Sequence, residues 1–220
     1  MLALTLVLLA ADPVPDELLD RLQAHESRLA RIYEDGGFTV RTTVENLDRD
    51  GKATSRTEVE TQVTYEGGVR REHLVKKIED GEDVTEEARR KKERDRDGKE
   101  EKLESNPLVL PFAKAERPKY RFTRKSRTVI AFTPVVEPSK SVWKGEATID
   151  PDAGTVLEVR AKPAKYPAFV DRLKATLEFD VVTRAGPTPS TLTIEGEGGF
   201  LFYRKRVRMV TEFSDYVVPE

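Results

Sequence analysis

The amino-acid sequence predicts a mainly β (α+β) protein. The expected fold is a large curved antiparallel sheet or unclosed β-barrel of about nine to eleven strands, with an N-terminal amphipathic helix and short lid helices. Two observations carry this. At Phe38 the apolar spacing changes from helical to alternating, and it alternates through most of the remaining chain. Clusters of Asp, Gly and Pro punctuate the alternation at short intervals, as hairpin turns require.

Pro15 to Glu34 has the helical pattern. Leu18, Leu22, Leu29 and Ile32 fall on one stripe, with Leu19 and Tyr33 beside it. Asp16 and Glu17 sit where the helix dipole favours negative charge, and Gly36-Gly37 is expected to end the helix. Phe38, Val40, Thr42 and Val44 then alternate with polar partners. Asp48 to Gly51 is a turn, and Val59, Thr61, Val63 and Tyr65 share a face of the next strand. Gly67-Gly68 turns the chain into a third strand from Val69 to Ile78, giving a meander with one wet face.

The segment 79–104 breaks the pattern. Between Glu86 and Glu104, 16 of 19 residues are charged, eight of each sign, so the acids cancel the Arg89-Arg90-Lys91-Lys92 run. A charged excursion is expected, with a solvated helix from Val84 to Arg96. Asn106 to Pro118 carries Leu108, Val109, Leu110 and Phe112 between prolines. Proline cannot donate to a sheet ladder, so a loop laid across an apolar surface is expected.

Alternation resumes at Tyr120 and Phe122 and again over Thr128–Thr133. Trp143, Gly145, Ala147 and Ile149 share a face, Asp150 to Gly154 forms a turn, and Thr155, Leu157, Val159 and Ala161 share a face of the returning strand. Pro163 to Leu173 is expected to form a short amphipathic turn with Tyr166, Phe169, Val170 and Leu173. Ala175, Leu177, Phe179 and Val181 alternate, followed by Leu192 and Ile194. Glu195 to Gly199 is expected to turn into a last strand carrying Tyr203, Val207, Met209 and Phe213 on one side.

Composition narrows the function. The chain has 220 residues, 37% hydrophobic and 35% charged, enough apolar matter for a sizeable core. Its net charge of -2 favours neither nucleic acid nor a membrane surface as a partner. The lack of cysteine excludes disulfides, thiolate metal sites, a cysteine nucleophile and a lipid-anchored cysteine. Leu2 to Ala11 resembles the apolar part of a signal peptide, although no basic residue precedes it. The alternative is a short buried N-terminal element. The expected organisation is thus a signal peptide or remnant at 1–11 and one domain at 12–220, exported or periplasmic and not membrane-spanning.

No catalytic constellation emerges. His25 and His73 lack metal-ligand spacing and a nucleophile elbow, and are expected on the surface or rim. Asp48/Asp50 and Asp150/Asp152 are explained by turns. No cofactor, no metal and no enzymatic activity are expected. The apolar face carrying Phe38, Val40, Val59, Val63, Tyr65, Trp143, Leu177, Phe179 and Tyr203 is the candidate site. One helix is too little to cover it, so a ligand-filled hollow and a fully packed core both remain open. Candidate lid residues are Leu108, Leu110, Phe112, Tyr166 and Phe169. Arg204, Arg206 and Arg208 are candidates for docking a partner.

Trp143, Gly145, Ile149, Asp150, Pro151, Gly154 and Leu157, within the W-K-G-E-A-T-I-D-P-D-A-G-T-V-L hairpin, resemble the periplasmic lipoprotein-carrier superfamily. This group contains the LolA-like and LolB-like lipoprotein-sorting proteins and the sensor domain of RseB-like regulators. The resemblance extends more loosely from Pro15 to Tyr216. It implies an unclosed barrel whose hollow takes a lipoprotein acyl chain or another lipid without catalysis, as a soluble monomeric transport chaperone or sensor. Family carriers use an arginine on an early strand to hold the lid. Arg41 lies in that region, but its phase places it opposite the apolar face. The competing expectation is an envelope protein-interaction or assembly module with a packed core and no ligand, and a hydrolase or other enzyme is a third.

Overall fold

The computed structural model describes residues 12–96, 109–200 and 203–220. Helix α1 (Asp16–Ala30) and a short continuation α2 (Ile32–Asp35) precede a meander of β1 (Gly37–Leu47), β2 (Ala53–Glu66) and β3 (Val69–Glu79). A two-residue strand β4 (Glu82–Asp83) leads into α3 (Thr85–Arg96). After the proline-rich loop come β5 (Tyr120–Arg124), β6 (Val129–Pro134), β7 (Trp143–Asp150), β8 (Thr155–Pro163) and β9 (Val170–Glu178). A small hairpin, β10 (Val181–Thr183) and β11 (Gly186–Thr188), precedes the long strands β12 (Thr191–Phe200) and β13 (Tyr203–Val217).

Eleven strands form one sheet in the order β4-β3-β2-β1-β13-β12-β9-β8-β7-β6-β5. Every pairing is antiparallel, and the two ends of the order do not pair, so the sheet is not closed into a barrel. The predicted fold class is the one observed. Strands lie about 4.8 Å apart, so a flat sheet of this width would dwarf a helix about 10 Å across. One hydrophobic cluster nevertheless joins Val63 on β2 to Phe122 on β5. The sheet therefore curls around the covering helix and loop.

The helical stripe is buried as expected: Leu18, Leu19, Leu22, Leu29 and Ile32 all lie in the core. The outer sheet face is polar and laced with cross-strand pairs, including Arg41–Glu60 and Lys174–Glu195, and Arg160 pairs with Glu158 along β8. Arg41 thus points away from the apolar face, as its phase requires.

Both open edges are covered. Thr85 Oγ1 accepts the Lys77 N–H at 2.8 Å, and the Arg89 guanidinium donates to the carbonyls of Leu74 and Val75 at 2.9–3.1 Å. The charged helix α3 therefore does more than solvate an excursion: it occupies hydrogen-bonding groups along the edge of β3. At the other edge Asp12 and Pro13 pair with β5. The signal-peptide reading of residues 1–11 and the lid reading of Leu108 fall outside the described residues.

Three local expectations are corrected. Residues 163–173 form no helix. Pro163 ends β8, β9 begins at Val170, and the connection passes through Phe169 at φ 65°. The glycines at 196, 198 and 199 form no turn. They lie inside β12, where a Cβ on Gly198 would overlap the Phe169 carbonyl, so glycine lets the β8–β9 connection close in. Leu157 does not share the inner face with Val159. The register shifts so that Ile149 opposes Val156, which is fully buried, while Leu157 is 38% exposed.

Gly145 shows how tightly β7 and β8 are matched. A Cβ there would overlap the Arg160 carbonyl oxygen and crowd the Ala161 backbone, whereas one on Gly196 makes only ordinary contacts, with Leu173 Cδ1 at 3.5 Å and the Arg172 carbonyl oxygen at 3.8 Å. Gly145→Ala is expected to lower stability by about 1–3 kcal/mol in urea unfolding, and Gly196→Ala to cost nothing or to stabilise slightly. Equal effects at both positions would contradict this packing.

Candidate functional site

The inner face is filled unevenly, and the cause is side-chain size read across the register. One row runs Ala147–Val159–Leu177–Leu192 over β7, β8, β9 and β12, with medium and large side chains at three of its four positions. The next row runs Gly145–Ala161–Ala175–Ile194. Ala161 and Ala175 leave a depression on the inner face beside Gly145, where the β8 backbone itself approaches too closely for a Cβ. Phe132, Trp143 and Tyr120 stand along one side of it, and Val109, Leu110 and Pro111 of the proline-rich loop form its roof. The groove has a volume of about 310 Å³, at the low end for a small-molecule site.

The groove lining is mostly apolar. Its polar members are Glu116, whose carboxylate accepts from Lys119 at 2.6 Å, and Ser141, whose hydroxyl bonds to Ser139 at 3.0 Å. Burial pushes the Tyr120 hydroxyl above its ordinary pKa, against a smaller opposing effect of its bond to the Trp143 backbone, so it stays neutral. Apart from the Glu116 carboxylate paired with Lys119, and Ser141, the trough is apolar.

The residues singled out in the sequence divide between this groove and the packed core. Trp143 and Leu177 line the groove. Phe38, Val63 and Tyr65 are buried at the other end of the face, in an aromatic cluster with Tyr33, Phe213 and Tyr216. Ring centroids there lie 5.5–6.2 Å apart. Val40 packs against this cluster, and Val59 is half-buried on the same face. Phe179 is 3% exposed and packs near Leu29 and Leu110. The side chain of Tyr203 lies outside the described residues.

Among the lid candidates, Leu110 roofs the groove and Phe112 stacks on Phe122 at 5.4 Å. Tyr166 and Phe169 sit apart from them, exposed at the end of the sheet. Arg204 and Arg206 lie on the outer face near Glu197 and Asp171 at 3.4–3.6 Å. Arg208 lies opposite Glu45 and Glu195 in register. Acids therefore border this arginine run throughout.

The inner face of an open antiparallel sheet wrapped on one helix thus carries an apolar trough. Solved structures to which the chain is similar include a LolA superfamily protein from Nitrosomonas europaea, at 10% identity over 93% of each chain with a TM-score of 0.39. They also include MucB in complex with MucA, at 13% identity over 91% of this chain and 94% of that one with a TM-score of 0.24. The MucA/MucB complex of Pseudomonas aeruginosa matches at 14% identity over 90% and 94%, with a TM-score of 0.22. No protein-family model and no curated protein matches the chain. No helix among the described residues is long and apolar enough to cross a membrane.

His25 is corrected from a surface residue to a fully buried one. Its place on the stripe, three residues after Leu22 and four before Leu29, was the available signal. The Val156 N–H donates to Nδ1 at 3.2 Å, so the neutral ring carries its proton on Nε2 and donates it to the Pro187 carbonyl at 2.8 Å. One side chain thus ties α1 to β8 and β11. Burial lowers its pKa below 6.5, with nearby Arg28 acting the same way and the Pro187 bond opposing.

The unfolded chain protonates this histidine first, so its stabilising contribution is complete above about pH 6.5 and is lost as pH falls through the lower native pKa. His25→Gln should be less stable at neutral pH. The gap from wild type should narrow on acidification from pH 7.5 to 5, measured by thermal unfolding. A gap independent of pH would contradict a buried, neutral His25 with a lowered pKa.

Proposed function

We propose that this chain is a non-catalytic carrier or sensor that holds a lipid acyl chain, such as that of a lipoprotein, in the groove between the inner sheet face and the 109–111 loop. The observation that supports the reading is the pair Ala161–Ala175, where two adjacent strands carry small side chains beneath an apolar roof. A packed core would place larger residues there, because unfilled apolar space costs stability. The apolar stretch Leu2–Ala11 supports export, where lipoproteins and envelope lipids are met.

Fluorescent fatty-acyl probe titration tests this. Wild-type protein should bind the probe, and Ala175→Phe, which fills the trough, should weaken binding by roughly tenfold or more while the protein still melts cooperatively. Absence of probe binding, together with lipid-free protein on extraction from its native compartment, would contradict the reading. It would leave the packed interaction module.

A further inference from the structure

The end of the sheet opposite the β7–β8 turn carries the β6–β7 and β8–β9 connections. The two lie side by side: Ala164 N–H donates to Val142 O at 2.7 Å, and residues 137–140 line one shallow depression with residues 165–168. Their apolar side chains face solvent. Val135 is 55% exposed, Val136 40%, Tyr166 38% and Phe169 64%. Phe169 holds a left-handed backbone at φ 65°, unusual for a bulky residue, and its carbonyl accepts the Gly199 N–H at 2.8 Å.

Lys140, Lys162, Lys165 and Arg172 are exposed around these tips, and none has an ion pair among the described residues. The nearby acids are Glu137, Asp171 and Glu197; Glu197 lies opposite Arg172 in register, and Asp171 and Glu197 lie 3.6 and 3.4 Å from Arg204. Exposed cations therefore gather around these tips. The depression between these tips is shallow and open, and neither connection offers a free strand edge for a peptide. The tips match a planar partner that accepts shallow apolar insertion and carries negative headgroups.

We infer that this rim docks on the surface of an anionic lipid bilayer. The groove runs from Leu177 and Leu192 past Ala161 and Ala175 to Trp143 and Ser141, next to Lys140. Docking by the rim sets that end of the groove against the headgroups, where an acyl chain enters or leaves. The docking itself does not depend on what the groove holds.

Co-sedimentation with phosphatidylglycerol-rich vesicles tests it, with pure phosphatidylcholine vesicles as the neutral comparison. Wild-type protein should pellet with the anionic vesicles, less so as salt is raised. Lys140→Glu/Lys162→Glu/Lys165→Glu should weaken binding roughly tenfold or more. The same charge change at the opposite end, Arg31→Glu/Lys125→Glu/Arg184→Glu, should leave most of it. Val136→Ser/Tyr166→Ser, which keeps every charge, should also weaken it. Wild-type protein that stays in the supernatant, or equal losses in the two charge-reversed variants, would overturn the inference. Fatty-acyl probe binding measured in parallel separates failure of the docking surface from failure of the groove.

Discussion

The structure depends on how the inner face of an open eleven-stranded sheet is covered. Burying a large apolar side chain contributes about 1.5–3 kcal/mol, so a face of this size cannot be left to water. The cover is small: α1 and the loop around Leu110 to Ala113. At the β1–β2 end, rings from Tyr33, Phe38, Tyr65, Phe213 and Tyr216 close the face themselves. At the β5–β6 end, Phe112 and Phe122 stack under the loop. Between them Ala161 and Ala175 leave a part of the face that side chains of the described residues do not fill.

The same openness creates exposed edges. Each is met locally, by Arg89 and Thr85 of α3 on β3, and by Asp12 and Pro13 on β5. The outer face is kept wet by alternating charges that pair across strands. This is why a chain with 35% charged residues carries almost no net charge. Individually such exposed pairs contribute little to stability. Their role is to keep a long flat surface from pairing with another.

Much of the fold was legible because strand alternation reports which face a residue occupies. Phe38, Val63, Leu177 and Phe213 were all assigned to the inner side, and the helical stripe from Leu18 to Ile32 was correct. The proline-rich loop was also legible, since Pro107 and Pro111 exclude a central strand. Register was not. That Ala161 opposes both Gly145 and Ala175 follows from pairing between strands, which no single strand encodes, so the groove could be expected but not located. A bulge at Leu157 breaks local phase in the same way. His25 was missed because its partners, Val156 and Pro187, are backbone groups more than a hundred residues away. The glycines of β12 looked like a turn because the reason for Gly198, the close approach of the Phe169 carbonyl, lies in the β8–β9 connection.

The central claim is that the small-residue row exists to hold hydrocarbon. A crystal structure of the protein grown with a long-chain fatty acid tests it most directly. Continuous density along Trp143, Ala161, Ala175 and Ile194 beneath Leu110 is the predicted result. An empty trough closed over by Trp143, or acyl density bound only elsewhere on the molecule, would contradict it.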